Sequence, residues 1–282
     1  MQIAVNLSPQ SVDVVSRGAA HADIFKCPAP FDPEVSGHFD DVIAGALAIR
    51  PAYVHFPLNT CDGSVAGCDT AVIDSIRAST RTTLINIHLS ATLDQFPDIS
   101  PDDVSSRAIQ AVTDGMIRDA ESLCTRFGND SVIAENVVYR TGGRTLAAAT
   151  LPDVIHTVIE ATGCGVLLDT AHSRLTAHHL GIDVADYIQA LPLRHVKELH
   201  VTGIRASGKP AYDSMPMEAD DWEAVRLVYR LMQAGQCQTP WVTALEYGGI
   251  GPIFEWRSDA DLIAGQLNEL IRLARLHDLY PQ

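Results

Sequence analysis

Gly165-Val166-Leu167-Leu168-Asp169-Thr170-Ala171-His172 and, further on, His195-Val196-Lys197-Glu198-Leu199-His200 decide how this chain folds. Each is a short apolar run, partly β-branched, that ends in a carboxylate or an imidazole, and an amphipathic stretch separates the two. Working outward, the same unit recurs at residues 3–7, 22–26, 52–56, 83–88, 132–137 and 241–246, which makes eight runs. Between them, apolar residues return at helical spacing, as in Val104, Ala108, Ala111, Val112, Gly115, Ile117 and Leu123, or Leu262, Leu267, Leu270, Ile271 and Leu273. Ser100-Pro101-Asp102-Asp103, Thr150-Leu151-Pro152-Asp153 and Ser258-Asp259 carry helix-start chemistry. Strand and helix alternating eight times predict a single α/β domain over residues 1–282, closed as a (β/α)8 TIM barrel. A doubly wound open sheet is disfavoured because no glycine-rich phosphate loop follows the first run.

Composition agrees with one large core and excludes some functions. The 282 residues are 46% hydrophobic, and 35 Asp plus Glu against 20 Lys plus Arg give a formal net charge of -15. A surface of that sign repels phosphate backbones and anionic lipid, so neither nucleic acid nor membrane is an expected partner. No apolar run reaches the roughly 20 residues of a membrane span. Met1-Gln2-Ile3-Ala4 lacks the basic start of a secretory signal, and the six cysteines are scattered without a CxxC. Reduced thiols and a cytoplasmic location are therefore expected.

What stands at the end of each run carries the chemistry. The third ends in His55-Phe56, the fourth in His88, the fifth in Glu135-Asn136, the sixth in Asp169-Thr170-Ala171-His172, the seventh in Glu198-Leu199-His200 and the eighth in Glu246. Barrel closure brings these ends onto one rim. Imidazoles and carboxylates gathered there cannot all be buried without a cation, because like charges drive acids to protonate. His55, His88, His172 and His200 with Glu135, Asp169, Asp213 and Glu246 are thus candidate ligands for two or three metal ions, Glu135 being placed to bridge. Imidazole with carboxylate and no thiolate suits iron, with manganese or zinc as alternatives.

Other residues have blander readings. Glu198 belongs beside the ligands rather than among them, and Asn136 and Thr170 are placed to orient them by hydrogen bonds. Lys26 points toward the same rim, where it could bind a substrate carboxylate, neutralise an oxygen bound to the metal, or be an ordinary exposed lysine. His178 and His179 read as a loop or helix-end pair. His21, His38, His156, His195 and His277 read as structural, and Cys61 and Cys68 as ordinary loop thiols rather than a redox pair. The irregular stretches at 202–217 and 247–255 read as substrate-facing loops.

The segment from Leu167-Leu168-Asp169-Thr170-Ala171-His172 through His179-Leu180-Gly181-Ile182-Asp183, Tyr187 and Ala190-Leu191-Pro192 to Val196-Lys197-Glu198-Leu199-His200-Val201-Thr202-Gly203 resembles the multinuclear non-haem iron-dependent oxidative enzymes. These belong to the xylose-isomerase-like barrel superfamily and include the methanobactin-biosynthesis oxidase. Glu135-Asn136 and Glu246 fall where that family has its Glu-Asn pair and last carboxylate; the likeness is strongest over about residues 130–250, with His55 and His88 matching before that. It implies two or three irons, dioxygen as oxidant, a cysteine-containing ribosomal peptide as substrate, and often a small partner protein that presents the peptide. Carried over, His55, His88 and Glu135 hold one iron, Glu135, Asp169, His200 and Glu246 a central one, and Asp169, His172 and Asp213 a third. Glu135, Asp169, His200 and Glu246 then frame the reacting centre. This chain departs from the pattern at Asp213-Ser214-Met215, where a histidine usually stands last, at Ile204, and at Lys26-Cys27-Pro28, where many members are acidic. Loss of an imidazole at Met215 weakens the third position and makes a dinuclear centre an option. The alternatives are a metal-dependent sugar or sugar-phosphate isomerase or epimerase using Glu135 and Glu246 as acid and base, and a catalytically silent peptide-binding barrel.

Overall fold

The computed structural model describes residues 1–31, 37–205, 212–251 and 257–281. Eight parallel strands form the barrel: β1 (Gln2–Asn6), β2 (Ile24–Pro28), β3 (Ala52–His55), β4 (Ile85–His88), β5 (Val132–Glu135), β6 (Gly165–Asp169), β7 (Val196–Val201) and β10 (Val242–Leu245). A small antiparallel pair, β8 (Gly203–Arg205) and β9 (Tyr212–Met215), rises from the loop after β7. The hydrogen-bonded order is β3-β2-β1-β10-β7-β6-β5-β4, a barrel complete except between β3 and β4.

Side chains close that seam. Asn86 on β4 accepts from the Phe56 amide at 2.6 Å and donates to the Phe56 carbonyl at 2.8 Å, imitating a strand neighbour. Thr82 Oγ1 accepts from the Val54 amide at 2.9 Å. Just beyond β3, His88 N donates to the Leu58 carbonyl at 2.8 Å and Thr60 N to the His88 carbonyl at 3.0 Å, which pins the loop after β3 to the end of β4.

Alternation along the strands sorts the core into two layers, as a period of two requires. Ile3, Val5, Phe25, Val54, Ile85, Ile87, Val166, Leu168, Leu199, Val201 and Leu245 join the large cluster under the helices, whereas Ala4, Ile24, Tyr53, Val242 and Ala244 form a small one inside the barrel. The inward positions continue to Asn6, Lys26, His55, His88, Glu135, Asp169, His200 and Glu246, one at the end of each strand or just past it. The floor of the site is therefore the small apolar plug, and its walls are the next inward residues.

The helices differ from expectation mainly at their starts. The one expected from Ser100 begins at Ser106, because Ser105 supplies the cap, its Oγ accepting from Ala108 N at 3.3 Å, and Val104 lies outside the helix, 48% exposed. Ser106–Phe127 buries Val112, Met116, Ala120 and Leu123. Asp259 caps Ala260–Leu276 as expected, accepting from Leu262 N at 2.9 Å. His178 and His179 lie in the last turn of helix Thr170–Leu180, not in a loop. Part of the stretch expected to be irregular at 202–217 is the β8–β9 pair; residues 206–211 there, and 252–255 of the second loop, lie outside the described residues. All six cysteines are free, and among the described residues no helix is long and apolar enough to cross a membrane.

Candidate metal centre

Three of the four rim histidines, His88, His172 and His200, have one ring nitrogen tied down and the other aimed at a carboxylate. His88 Nδ1 lies 2.8 Å from the Leu58 carbonyl, and since a carbonyl only accepts, that nitrogen carries the proton and Nε2 presents a lone pair. Nε2 faces Glu135 Oε2 at 3.2 Å. His172 repeats the arrangement, with Nδ1 donating to the Asn136 carbonyl at 2.8 Å and Nε2 facing Asp213 Oδ2 at 3.2 Å. In His200 the roles of the nitrogens reverse: Nε2 lies 2.8 Å from Glu198 Oε1, and Nδ1 faces Glu246 Oε1 at 3.0 Å and Glu135 Oε1 at 3.9 Å. His55 Nε2 stands 3.6 Å from Glu135 Oε2 and 3.4 Å from His88 Nε2.

An imidazole nitrogen that faces a carboxylate oxygen at such a distance either carries a proton or shares a cation with it. Glu135 Oε2, Asp169 Oδ2 and His200 Nδ1 are buried without a hydrogen-bond partner. Buried polar atoms are seldom left so, and three at one point are what metal ligands look like when only the protein is considered. The ligand atoms of His55, Glu135 and His200, of Glu135, Asp169 and His172, and of Asp169, His200 and Glu246 form three groups, each spanning no more than 4.8 Å. The donor set of imidazole and carboxylate without thiolate fits iron, manganese or zinc.

Local sequence explains the placement. Asp169 ends β6 and caps the next helix, its Oδ1 accepting from His172 N at 2.8 Å, which leaves Oδ2 for the centre. His172 therefore sits on the first helical turn rather than at the strand end. Asn136 clamps β5 to β6, its Oδ1 accepting from Asp169 N at 2.8 Å and its Nδ2 donating to the Asp169 carbonyl at 3.1 Å. Thr170 Oγ1 donates to the His200 carbonyl at 3.2 Å and secures β7. Asp213 arrives from β9, which can lie so close only because residue 203 is glycine: a Cβ there would stand 2.1 Å from the Pro216 carbonyl oxygen.

Electrostatics follow from this crowding. Burial pushes the Asp169 carboxyl up to about 7; His172 opposes the shift, and Glu246 and Glu135 add to it. Burial also works against charge on Glu246, yet His200 and Lys26 outweigh it and bring that carboxyl down to about 2. Burial and then Lys26 hold His55 well below the usual imidazole range. His172 and His200 go the other way: against the effect of burial, Asp169 and Asp213 raise the first and Glu246 the second.

All eight residues expected as ligands come together here. The Lys26 side chain is not that of an ordinary exposed lysine: it is 8% exposed, its ammonium is hydrogen-bonded to Glu246 Oε1 inside the cluster, and it lines the cavity. Glu198 stands behind His200 as expected. Three participants escaped the sequence reading. Tyr53 donates to Glu198 Oε1 at 2.8 Å, Asn86 Nδ2 lies 3.1 Å from His55 Nε2, and Asn6 donates to the Gly248 carbonyl at 3.1 Å. Each lies two residues before a ligand or at the one strand end that lacks an ionisable group, so parity within the strands is the signal that could have found them. Above the centre opens a cavity of about 270 Å³ lined by Asn6, Lys26, His55, His88, Glu246 and Ile250, among others.

Comparison with known proteins gives the chain a family and relatives of the same fold. A family model described as RiPP precursor modification enzyme MbnB/TglH/ChrH matches residues 56–254, which contain every candidate ligand but His55. A UPF0276 protein of Rhizobium meliloti is 29% identical over 104 residues, 37% of this chain and 31% of the relative. Another UPF0276 protein, from Paraburkholderia phytofirmans, is 37% identical over 59 residues, 20% of this chain and 19% of the relative. The chain thus aligns with less than a third of the length of these curated relatives. Among solved structures, a D-tagatose 3-epimerase-like protein superposes with a TM-score of 0.54 at 10% identity, covering 99% of this chain and 98% of that one. A family 2 AP endonuclease from Brucella melitensis gives 0.50 at 13% identity, covering 89% and 94%. At these identities the structural likeness establishes the TIM-barrel fold and nothing further.

Proposed function

Because this chain belongs to the MbnB/TglH/ChrH family of RiPP precursor modification enzymes, we propose that it is a multinuclear non-haem iron enzyme that uses dioxygen to oxidise a cysteine residue of a ribosomally made peptide. The observation that carries the metal part of this reading is the trio of buried, unpartnered acceptors Glu135 Oε2, Asp169 Oδ2 and His200 Nδ1. In this reading His55, His88 and Glu135 hold one ion, Glu135, Asp169, His200 and Glu246 a central one, and Asp169, His172 and Asp213 a third. When bound, iron supplies a redox couple and open positions for dioxygen and a thiolate.

The chain's own groups do the rest. Leu58, Asn136 and Glu198 each hold one ring nitrogen of His88, His172 and His200, so the other nitrogen of each ring points inward before any ion arrives. The cavity, at about 270 Å³, lies just under the ~300–1,000 Å³ of ordinary small-molecule pockets. That size suits one side chain of a peptide laid across the rim, presented by a small partner protein. Glu246 held ionised by Lys26 and His200 is poorly suited to cycle a proton near neutrality, which weighs against an isomerase using it as acid or base.

Elemental analysis with Mössbauer spectroscopy on protein purified without oxygen tests the reading. The expected result is about two or more irons per chain with antiferromagnetic coupling, as the donor set predicts, and dioxygen uptake with a cysteine peptide. Only manganese or zinc, with no uptake for any thiol peptide, overturns it.

A further inference from the structure

The centre already contains one cation, and it is part of the chain. Lys26 is the inward residue near the end of β2, and its ammonium is buried against Glu246 Oε1. That same oxygen faces the free nitrogen of His200 at 3.0 Å. An ammonium and a divalent ion seated among Asp169, His200 and Glu246 therefore draw on a single carboxylate, whose Oε1 faces both Lys26 and His200. On the other side of the cluster, His55, His88 and Glu135 Oε2 meet with no ammonium bonded to any of them among the described residues.

We propose that Lys26 is a fixed cation of the centre, sharing Glu246 with the ion held by Asp169, His200 and Glu246, so that this position binds a divalent metal more weakly than the one formed by His55, His88 and Glu135. The inference rests on the metal-centre reading above and adds an order of occupancy to it. Its physics is Coulombic. Positive charges a few ångströms apart repel strongly where water is scarce, and a carboxylate oxygen committed to an ammonium donates less to a metal. The lysine also spares the protein from burying Glu246 uncompensated before metal is present, which would be costly. The ion beside Lys26 is then the exchangeable one, and the ion beside His88 the permanent one.

Zinc titration of the metal-stripped full chain, followed by calorimetry and by elemental analysis after desalting, reads the two affinities without reference to activity. Wild-type protein should show a tight and a weak class of site. Lys26→Met, which keeps the aliphatic stem, should tighten the weak class roughly 10- to 100-fold, the size of outer-sphere effects on metal affinity. Lys26→Arg, which keeps the charge, should leave it weak. Should the methionine variant not fold, Lys26→Gln retains a hydrogen bond to Glu246 without the charge and should tighten the weak class too. A Lys26→Met isotherm that superimposes on the wild type, or equal tightening in Lys26→Arg, overturns the proposal while leaving the centre intact. Failure of the wild-type chain to bind zinc at all overturns the centre itself.

Discussion

The two flanks of Glu135 are built from the same residue types and balance their charge in opposite ways. On one side, Glu135 Oε2 meets His55 and His88, whose other partners are neutral: the Asn86 amide for His55 and the Leu58 backbone carbonyl for His88. On the other, His200 is backed by Glu198, and Glu246 by Lys26. No ammonium is bonded to the first flank, although burial and the charge of Lys26 lower His55; the second flank has an ammonium bonded to Glu246. The difference teaches that pre-organisation and charge balance are separable: imidazoles can be locked by neutral carbonyls at no electrostatic cost, but a second carboxylate at the same point needs a positive partner from within the chain.

The largest break in the comparison comes from the residue both flanks share. Glu135→Ala should lower affinity for the first ion by more than about 100-fold, beyond outer-sphere effects, and weaken the second flank as well. His88→Ala separates the flanks: a loss of roughly 10- to 100-fold or more is expected at the first position, with the His200 side unchanged. Chelator competition measures both variants. Metal content unaffected by His88→Ala would remove His88 from the ligand set.

Next comes pH, to which the buried groups of the cluster should respond in opposite senses. Asp169 in the metal-free fold is pushed by burial from 3.8 up to about 7. A group whose folded value lies above its unfolded one contributes stability that is present below the unfolded value and lost as pH rises through the folded one. Asp169 thus makes the metal-free protein less stable as pH climbs from about 4 to about 7, and the raised His172 and His200 act in the same sense as pH rises through their folded values. His55, lowered by burial and Lys26, loses stability instead as pH falls through its unfolded value of 6.5. Glu246, held down to about 2, loses its contribution only as pH falls below its unfolded value of 4.5 toward that point. Asp169→Asn keeps the helix cap and removes the acid, so its melting temperature relative to wild type, both metal-free, should be higher at pH 8 than at pH 5. A difference that does not change with pH would mean that Asp169 is already ionised in the fold.

How far the sequence reached is clearest at the candidate ligands. His55, His88, Glu135, Asp169, His200 and Glu246 end or directly follow apolar runs, and a barrel brings such ends together whatever lies between, so topology alone located them. His172 and Asp213 were reached through the family likeness as well; the structure places one on a helical turn and the other on an antiparallel arm, positions that strand periodicity does not specify. Lys26 was seen to point at the rim, but its partner lies 220 residues away, and no local pattern encodes which of two ends of a closed ring will touch. Asn86 was missed for the complementary reason. Inside Ile85-Asn86-Ile87-His88 a polar residue at an inward position reads as noise until the missing β3–β4 ladder shows that its amide stands in for a strand.

The smallest expected effect bears on the more elaborate flank. Glu198 Oε1 receives both the Tyr53 hydroxyl and His200 Nε2, each at 2.8 Å, so the ring is held by a carboxylate that is itself held. Glu198→Gln keeps the shape and offers an amide oxygen that can accept from both, but the bond from His200 loses its charge assistance and the imidazole becomes a poorer donor to metal. Affinity at the His200 position should fall about tenfold, the low end of outer-sphere effects, while the His88 position stays as it was. Tyr53→Phe should fall short of that, since it removes the hydroxyl that orients the carboxylate and leaves the carboxylate in place. If Glu198→Gln weakens both positions equally, the flanks are not independent and Glu135 transmits the change between them. If it weakens neither, Asp169 and Glu246 alone fix the ion, and the Tyr53–Glu198 pair serves only to neutralise the inside of the barrel above its apolar plug.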